Sequence, residues 1–281
     1  MPYWDRMDAM DLNCHVMGVK LKLLTPKLRI MARQKGVIKL EGRVGDLSFY
    51  KSGNDYLARE KGGVSGDRIK NDPAYARTRE NGAEFGRAGK AGKELRNALN
   101  EVLTKAADKR VSNRLAASML KVIQADTTNQ RGERTVLDGE PSLLKGFEFN
   151  VTAPLESVLK ISHTVAFDRV AGTTQMAIDA FNPNEEIPQV EGATHVRFVM
   201  ATAAVDFGNQ SYEVDVVDSA DVDLSILNQA AMEVNTAITA NSPHPVFVVV
   251  GVEYYQEVNG HMYPIQTKTH NPLAIVEVDK V

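Results

Sequence analysis

In the C-terminal half of the chain, apolar residues recur at strand spacing, several times with the period of two that marks a strand with one buried face. The segments Phe147–Val151, Lys160–Phe167, Gln175–Phe181, Thr194–Phe207, Tyr212–Val217, Pro245–Glu257 and Leu273–Val278 are predicted strands. The tetrapeptide Val258-Asn259-Gly260-His261 sits between GVEYYQE and MYPIQ. An Asn-Gly pair in that setting is the strongest short-range hairpin signal a sequence offers. One helical candidate, Leu224–Glu233, interrupts the series. The pattern predicts an antiparallel β-sandwich over residues 141–281.

The N-terminal half reads differently. Val37–Arg43, Leu47–Lys51 and Tyr56–Glu60 are short β-prone segments separated by Gly45-Asp46 and Ser52–Asp55, which predicts a small meander. Asp72-Pro73 is a helix start, a capping carboxylate followed by a proline whose missing N–H costs nothing at the first helical position. The helix is expected to run to about Ala106, with Phe85, Ala88, Gly89, Gly92, Leu95 and Leu99 on its buried arc. Arg79, Arg87, Lys90 and Lys93 fall opposite and form the candidate interaction face. Gly82, Gly86, Gly89 and Gly92 each cost about 1 kcal/mol against alanine. They are expected to admit a close neighbouring backbone, and the first half of the helix is expected to be kinked or broken. A second helix, Val111–Ala125, buries Val111, Leu115, Met119, Val122 and Ile123. The polar stretch 127–141 is the expected domain boundary. The fold class is therefore α+β: residues 31–140 an α+β module of a meander plus two helices, residues 141–281 a β-sandwich domain.

Charge divides the chain at the same place. Residues 31–140 hold 22 Lys and Arg against 15 Asp and Glu, a net of +7, whereas residues 141–281 hold 6 against 18, a net of −12. A basic module joined to an acidic one points to partners and assembly rather than to a particular fold. No apolar run reaches the ~20 residues of a membrane-spanning helix. The single cysteine, Cys14, excludes an internal disulfide framework and a cysteine-built zinc site. Residues 1–30 lack the features of a secretory signal: Lys20 and Lys22 interrupt the apolar stretch, and acidic residues precede it. The expectation is a protein cytoplasmic at synthesis, with 1–30 a disordered or non-native arm dispensable to the fold.

Motifs with chemistry are absent. Gly86–Lys93 resembles a phosphate-binding loop but fails on spacing, with Arg87 where glycine belongs and Glu94 where Ser or Thr belongs. Glu213, Asp215, Asp218, Asp221 and Asp223 invite a cation reading, yet the spacing matches no calcium loop and the required glycine is missing. The six histidines show no paired metal-ligand spacing, and no nucleophile elbow occurs. Nothing nominates a catalytic residue, a metal ligand or a cofactor.

Ile38–Lys61, Asn71–Leu95 and Val252–Tyr263 resemble an uncharacterised bacterial protein family of the Bacteroidetes type. The resemblance runs from about Met31 to the C-terminus and carries no activity or site residue with it. Taken together, the sequence predicts a non-enzymatic structural or protein-interaction module that assembles with itself through its oppositely charged halves. The alternative is a nucleic-acid-binding protein using the basic half. There, Arg43, Lys51, Arg59, Lys61, Arg68 and Lys70 would meet phosphates, and Tyr50, Tyr56 and Tyr75 would stack on bases.

Overall fold

A computed structural model describes residues 31–60, 63–265 and 268–280. The N-terminal arm 1–30 and Cys14 lie outside these. The chain forms two compact units that divide between Gly66 and Asp67.

The first unit is a four-stranded antiparallel meander. Its strands are β1 (Met31–Arg33), β2 (Gly42–Val44), β3 (Leu47–Ser52) and β4 (Asp55–Glu60), in the order β1-β4-β3-β2. Gly45 and Gly53 take positive φ in the two tight turns, as the turn residues in the sequence require.

A short helix, α1 (Gly66–Asn71), begins at the division, and the second unit continues with three packed helices. These are α2 (Ala76–Ala98), α3 (Asn100–Ala106) and α4 (Val111–Gln124). Asp72 accepts from the Ala74 amide and caps a 3-10 turn at Pro73 that feeds α2. The strands follow: β5 (His163–Asp168), β6 (Thr173–Ile178), β7 (His195–Asp206), β8 (Ser211–Asp218), β9 (Val222–Asp223), β10 (Met232–Ala237), β11 (Val246–Val258), β12 (His261–Pro264) and β13 (Leu273–Asp279). Short helical turns at Leu155–Val158 and Pro183–Glu186 flank β5 and β6. A six-stranded antiparallel sheet has β7 and β11 at its centre, with β8 and β9 pairing β7, and β12 and β13 pairing β11. A three-stranded sheet, β10-β6-β5, packs on one face of it.

The fold is thus α+β, with an antiparallel sandwich. The register explains how its layers form. Val199, Ala201, Ala203 and Val205 of β7 point to one face and pack with Phe247 and Val249 against Leu95, Leu99, Leu115 and Met119 of the helices. Val196, Phe198 and Met200 point to the other and meet Met176, Ile178 and Val234 of the small sheet. On that side Thr202 joins Thr174 and Thr236 by hydroxyl contacts of 2.7 Å each, which satisfies three buried polar groups at once.

The helices and the sandwich therefore share one core, and the 140/141 boundary drawn on charge and pattern runs through that core. The polar connector is fixed in place. Asp126, buried at the end of α4, accepts from the amides of Thr128, Asn129 and Thr135 and from the Asn129 side chain. Burial works against its charge, but these donors hold its carboxyl well below the usual range. Glu84 accepts from the Gly132 amide at 2.8 Å, and Arg87 donates to the carbonyls of Arg134 and Gly132.

Other expectations are corrected by the packing. Helix α2 is continuous through its four glycines, and the break comes later, at Leu99. A methyl group at Gly92 would touch Leu115 and the Ala116 backbone at 3.6–3.8 Å, whereas Gly82, Gly86 and Gly89 face open space. Phe85 is 56% exposed. The buried stripe is rotated toward Glu84, Ala88, Ala91 and Leu95, and Glu84 reaches the connector. The helix expected at Leu224–Glu233 is absent, and β10 begins at Met232 instead. The Phe147–Val151 strand shrinks to a bridge between Glu148 and Ala274.

Two outcomes follow from this packing. Gly89→Ala should stabilise the fold by about 0.5–1 kcal/mol through helix propensity. Gly92→Leu should cost about 1–3 kcal/mol by overpacking. Urea denaturation measures both. Asp126→Asn should destabilise by about 1–3 kcal/mol near neutral pH, because buried amides lose a charged acceptor. Since the folded-state pKa is depressed, that contribution is complete above the unfolded value and is lost as pH falls. The gap between wild type and variant should be constant above about pH 5 and narrow progressively as pH falls below about 4.

Candidate functional site

The four residues singled out for interaction are divided by the structure. Arg79 is half-buried and donates from one Nη to the carbonyls of Ile69 and Asp72, at 2.7 and 3.0 Å, bracing the turn before α2. Arg87 is the clamp on the connector. Lys90 and Lys93 are exposed on α2. A face intended for a partner is thus half consumed by internal hydrogen bonds, which helical periodicity alone does not reveal. Arg87→Ala should cost about 1–3 kcal/mol in urea unfolding, while Lys90→Ala should stay within about 0.5 kcal/mol.

The acidic run 213–223 is likewise dispersed. Glu213 accepts from the amide and hydroxyl of Thr239, and Asp215 accepts from the Ala237 amide. Asp218 pairs with Lys105, Asp221 with Arg197, and Asp223 accepts from Ser225. Strand parity places Glu213 and Asp215 on one face of the sheet and Asp218 on the other. Among the described residues no group of three His, Cys, Asp or Glu side chains lies close enough to hold a metal ion. The Gly86–Lys93 stretch lies inside α2, where its amides serve the helix.

Where the helices stop, the face of the large sheet that they cover changes character. The positions that bear Phe247 and Val249 continue into Glu253, Tyr255 and Glu257 on β11, and those of β7 into Arg197 and His195. Lys105, at the end of α3, reaches Glu253 at 3.2 Å and Asp218 at 3.5 Å. Burial opposes its charge, but the two carboxylates outweigh it and raise its pKa. Tyr255 donates to Glu253 at 2.7 Å, and the Arg197 guanidinium stacks 4.4 Å above the Tyr255 ring while Asp221 holds it by two hydrogen bonds. Burial and the Glu253 carboxylate push the Tyr255 hydroxyl well above its ordinary pKa, so it stays protonated. A cavity of about 190 Å³ opens here, lined by Lys105, Glu253, Tyr255, Ile265, Lys268 and Asn271 among others. Lys105, Asp218, Glu253, Arg197 and Asp221 are paired within this cluster, whereas the Asn271 side-chain oxygen in the cavity lining is buried with no hydrogen-bond partner.

The first unit is the opposite case. Of residues 32–60 and 63–66, none is buried. Val44 is 66% and Leu47 45% exposed. The register sorts its side chains onto two faces. One carries Ala32, Val44, Leu47, Phe49, Tyr56 and Ala58. The other carries Arg33, Arg43, Arg59 and Tyr50, with Arg59 lying 5.2 Å over the Tyr50 ring and Arg33 paired to Asp55. Period two sorts the residues within each short strand, but only the register joins them into two faces.

No protein-family model, no curated protein and no solved structure matches the chain. Among the described residues, no helix is long and apolar enough to cross a membrane.

Proposed function

We propose that the chain is a non-enzymatic protein-interaction module that assembles with copies of itself, and that the sheet of the first unit makes the contact. The observation that carries this reading is the absence of any buried residue in that sheet between 32 and 60. Ordering a residue costs about 1–2 kcal/mol of backbone entropy, and a sheet needs a covered hydrophobic face to offset it. A partner that binds the ordered sheet supplies what the unit's own side chains do not.

Charge plays a smaller part than the linear asymmetry suggests. The basic helices and the acidic strands lie in one unit with a common core, and Lys105 already bridges to Glu253 and Asp218. An apolar contact surface fits these facts better than attraction between whole halves.

Size-exclusion chromatography with light scattering tests the proposal. The expected result is a mass above the monomer that persists from about 50 mM to about 500 mM salt, since screening removes surface ion pairs but leaves apolar contacts intact. A monomer at every concentration and salt would refute it.

A second reading rests on the other face, where Arg43 and Arg59 flank Tyr50. Basic side chains around an exposed aromatic ring suit single-stranded nucleic acid. Fluorescence anisotropy with a labelled oligonucleotide would then show affinity falling steeply with salt and abolished in Arg43→Glu/Arg59→Glu.

A further inference from the structure

The apolar face of the first unit has charged ends of opposite sign. Strands β3 and β4 run antiparallel, so Lys51 stands beside Tyr56 at one end and Leu47 beside Glu60 at the other. Lys39 and Lys51 both lie over the Tyr56 ring, at 5.8 and 5.6 Å, which makes that end doubly basic. At the far end, Asp46 in the β2–β3 turn joins Glu60, so that end is doubly acidic. Lys39, Asp46, Lys51 and Glu60 are all exposed. Asp55 also lies at the basic end, but on the opposite face, where Arg33 holds it.

A two-fold axis can bring this face against its copy in two ways. With the axis along the strands, like ends meet, and Lys39 and Lys51 confront their own counterparts. With the axis across the strands, the two sheets run in opposite directions and unlike ends meet. Like-charge juxtaposition across an interface costs several kcal/mol, so charge selects the second.

We infer that two copies of the chain pair face to face through the Val44–Leu47–Phe49–Ala58 surface about an axis across the strands, with Lys39 and Lys51 of each copy over Asp46 and Glu60 of the other. The inference rests on the self-assembly reading above and adds the surface, the symmetry and the charge register. Such a pairing is isologous and closes at two copies, so it yields a dimer and no filament. It also turns the two sheets into a small sandwich with an apolar interior and leaves the arginine-rich faces outward.

Paired charge variants of the full chain test this by sedimentation velocity. Lys39→Glu/Lys51→Glu makes both ends acidic, and Asp46→Lys/Glu60→Lys makes both basic. Each alone should dissociate, with affinity at least about tenfold weaker than wild type. An equimolar mixture should form a one-to-one dimer, which also shows that both variants fold. Val44→Glu should abolish pairing, while Arg43→Glu on the opposite face should leave it unchanged. If wild type dimerises and the mixture fails to restore pairing, this register is wrong and self-assembly stands. If wild type is monomeric, both readings fall.

Discussion

Strands β7 and β11 run side by side over ten residue pairs with both faces covered, and the rest of the second unit takes its place from them. The run VFVVVG in β11 is apolar at successive positions, because one set of side chains meets the helices and the other the small sheet. Each fully buried side chain of this kind contributes about 1.5–3 kcal/mol. Helices α2 and α4 cannot leave that face without exposing Leu95, Leu115 and Met119. The helices of the basic half and the strands of the acidic half are therefore layers of one body.

The same strand parity sets the limit of the apolar layer. Beyond Gly251 the helix-side positions become Glu253, Tyr255 and Glu257, and the facing positions on β7 become Arg197 and His195. Lys105 closes the edge by pairing with Glu253 and Asp218. These ion pairs rigidify the sheet end and fix where α3 docks. The connector is held by the same kind of chemistry, through Asp126, Glu84 and Arg87. Polar residues that look like surface in a linear reading act here as fasteners.

Much of the second unit was legible in the sequence, for a physical reason. Long strands repeat their burial pattern many times, so β7, β8, β11 and β13 stand out to within a residue or two. The Asn259-Gly260 hairpin is set by local backbone preference, and both residues adopt positive φ. The errors fall where tertiary contacts override local pattern. Glu84 lies on the buried side of α2, where its hydrogen bond reaches a segment 48 residues away. β10 alternates only over Met232–Ala237, and the apolar residues just before it are spaced like a helix. Charge and period change at residue 140, while the apolar core continues across it. The candidate surface was missed for another reason. Strands of three to six residues repeat too few times to show two faces unless their register is known.

None of residues 32–60 of the first unit is buried, and the proposed cover is a second copy. Hydrogen–deuterium exchange of the full chain across a concentration series tests this most directly. Amides of β7 and β11 should exchange slowest at every concentration. Amides of Leu47–Ser52 and Asp55–Glu60 should exchange fast in dilute solution and become protected as concentration rises. Protection of those two strands that is already complete in dilute solution, or that never develops, would contradict the account.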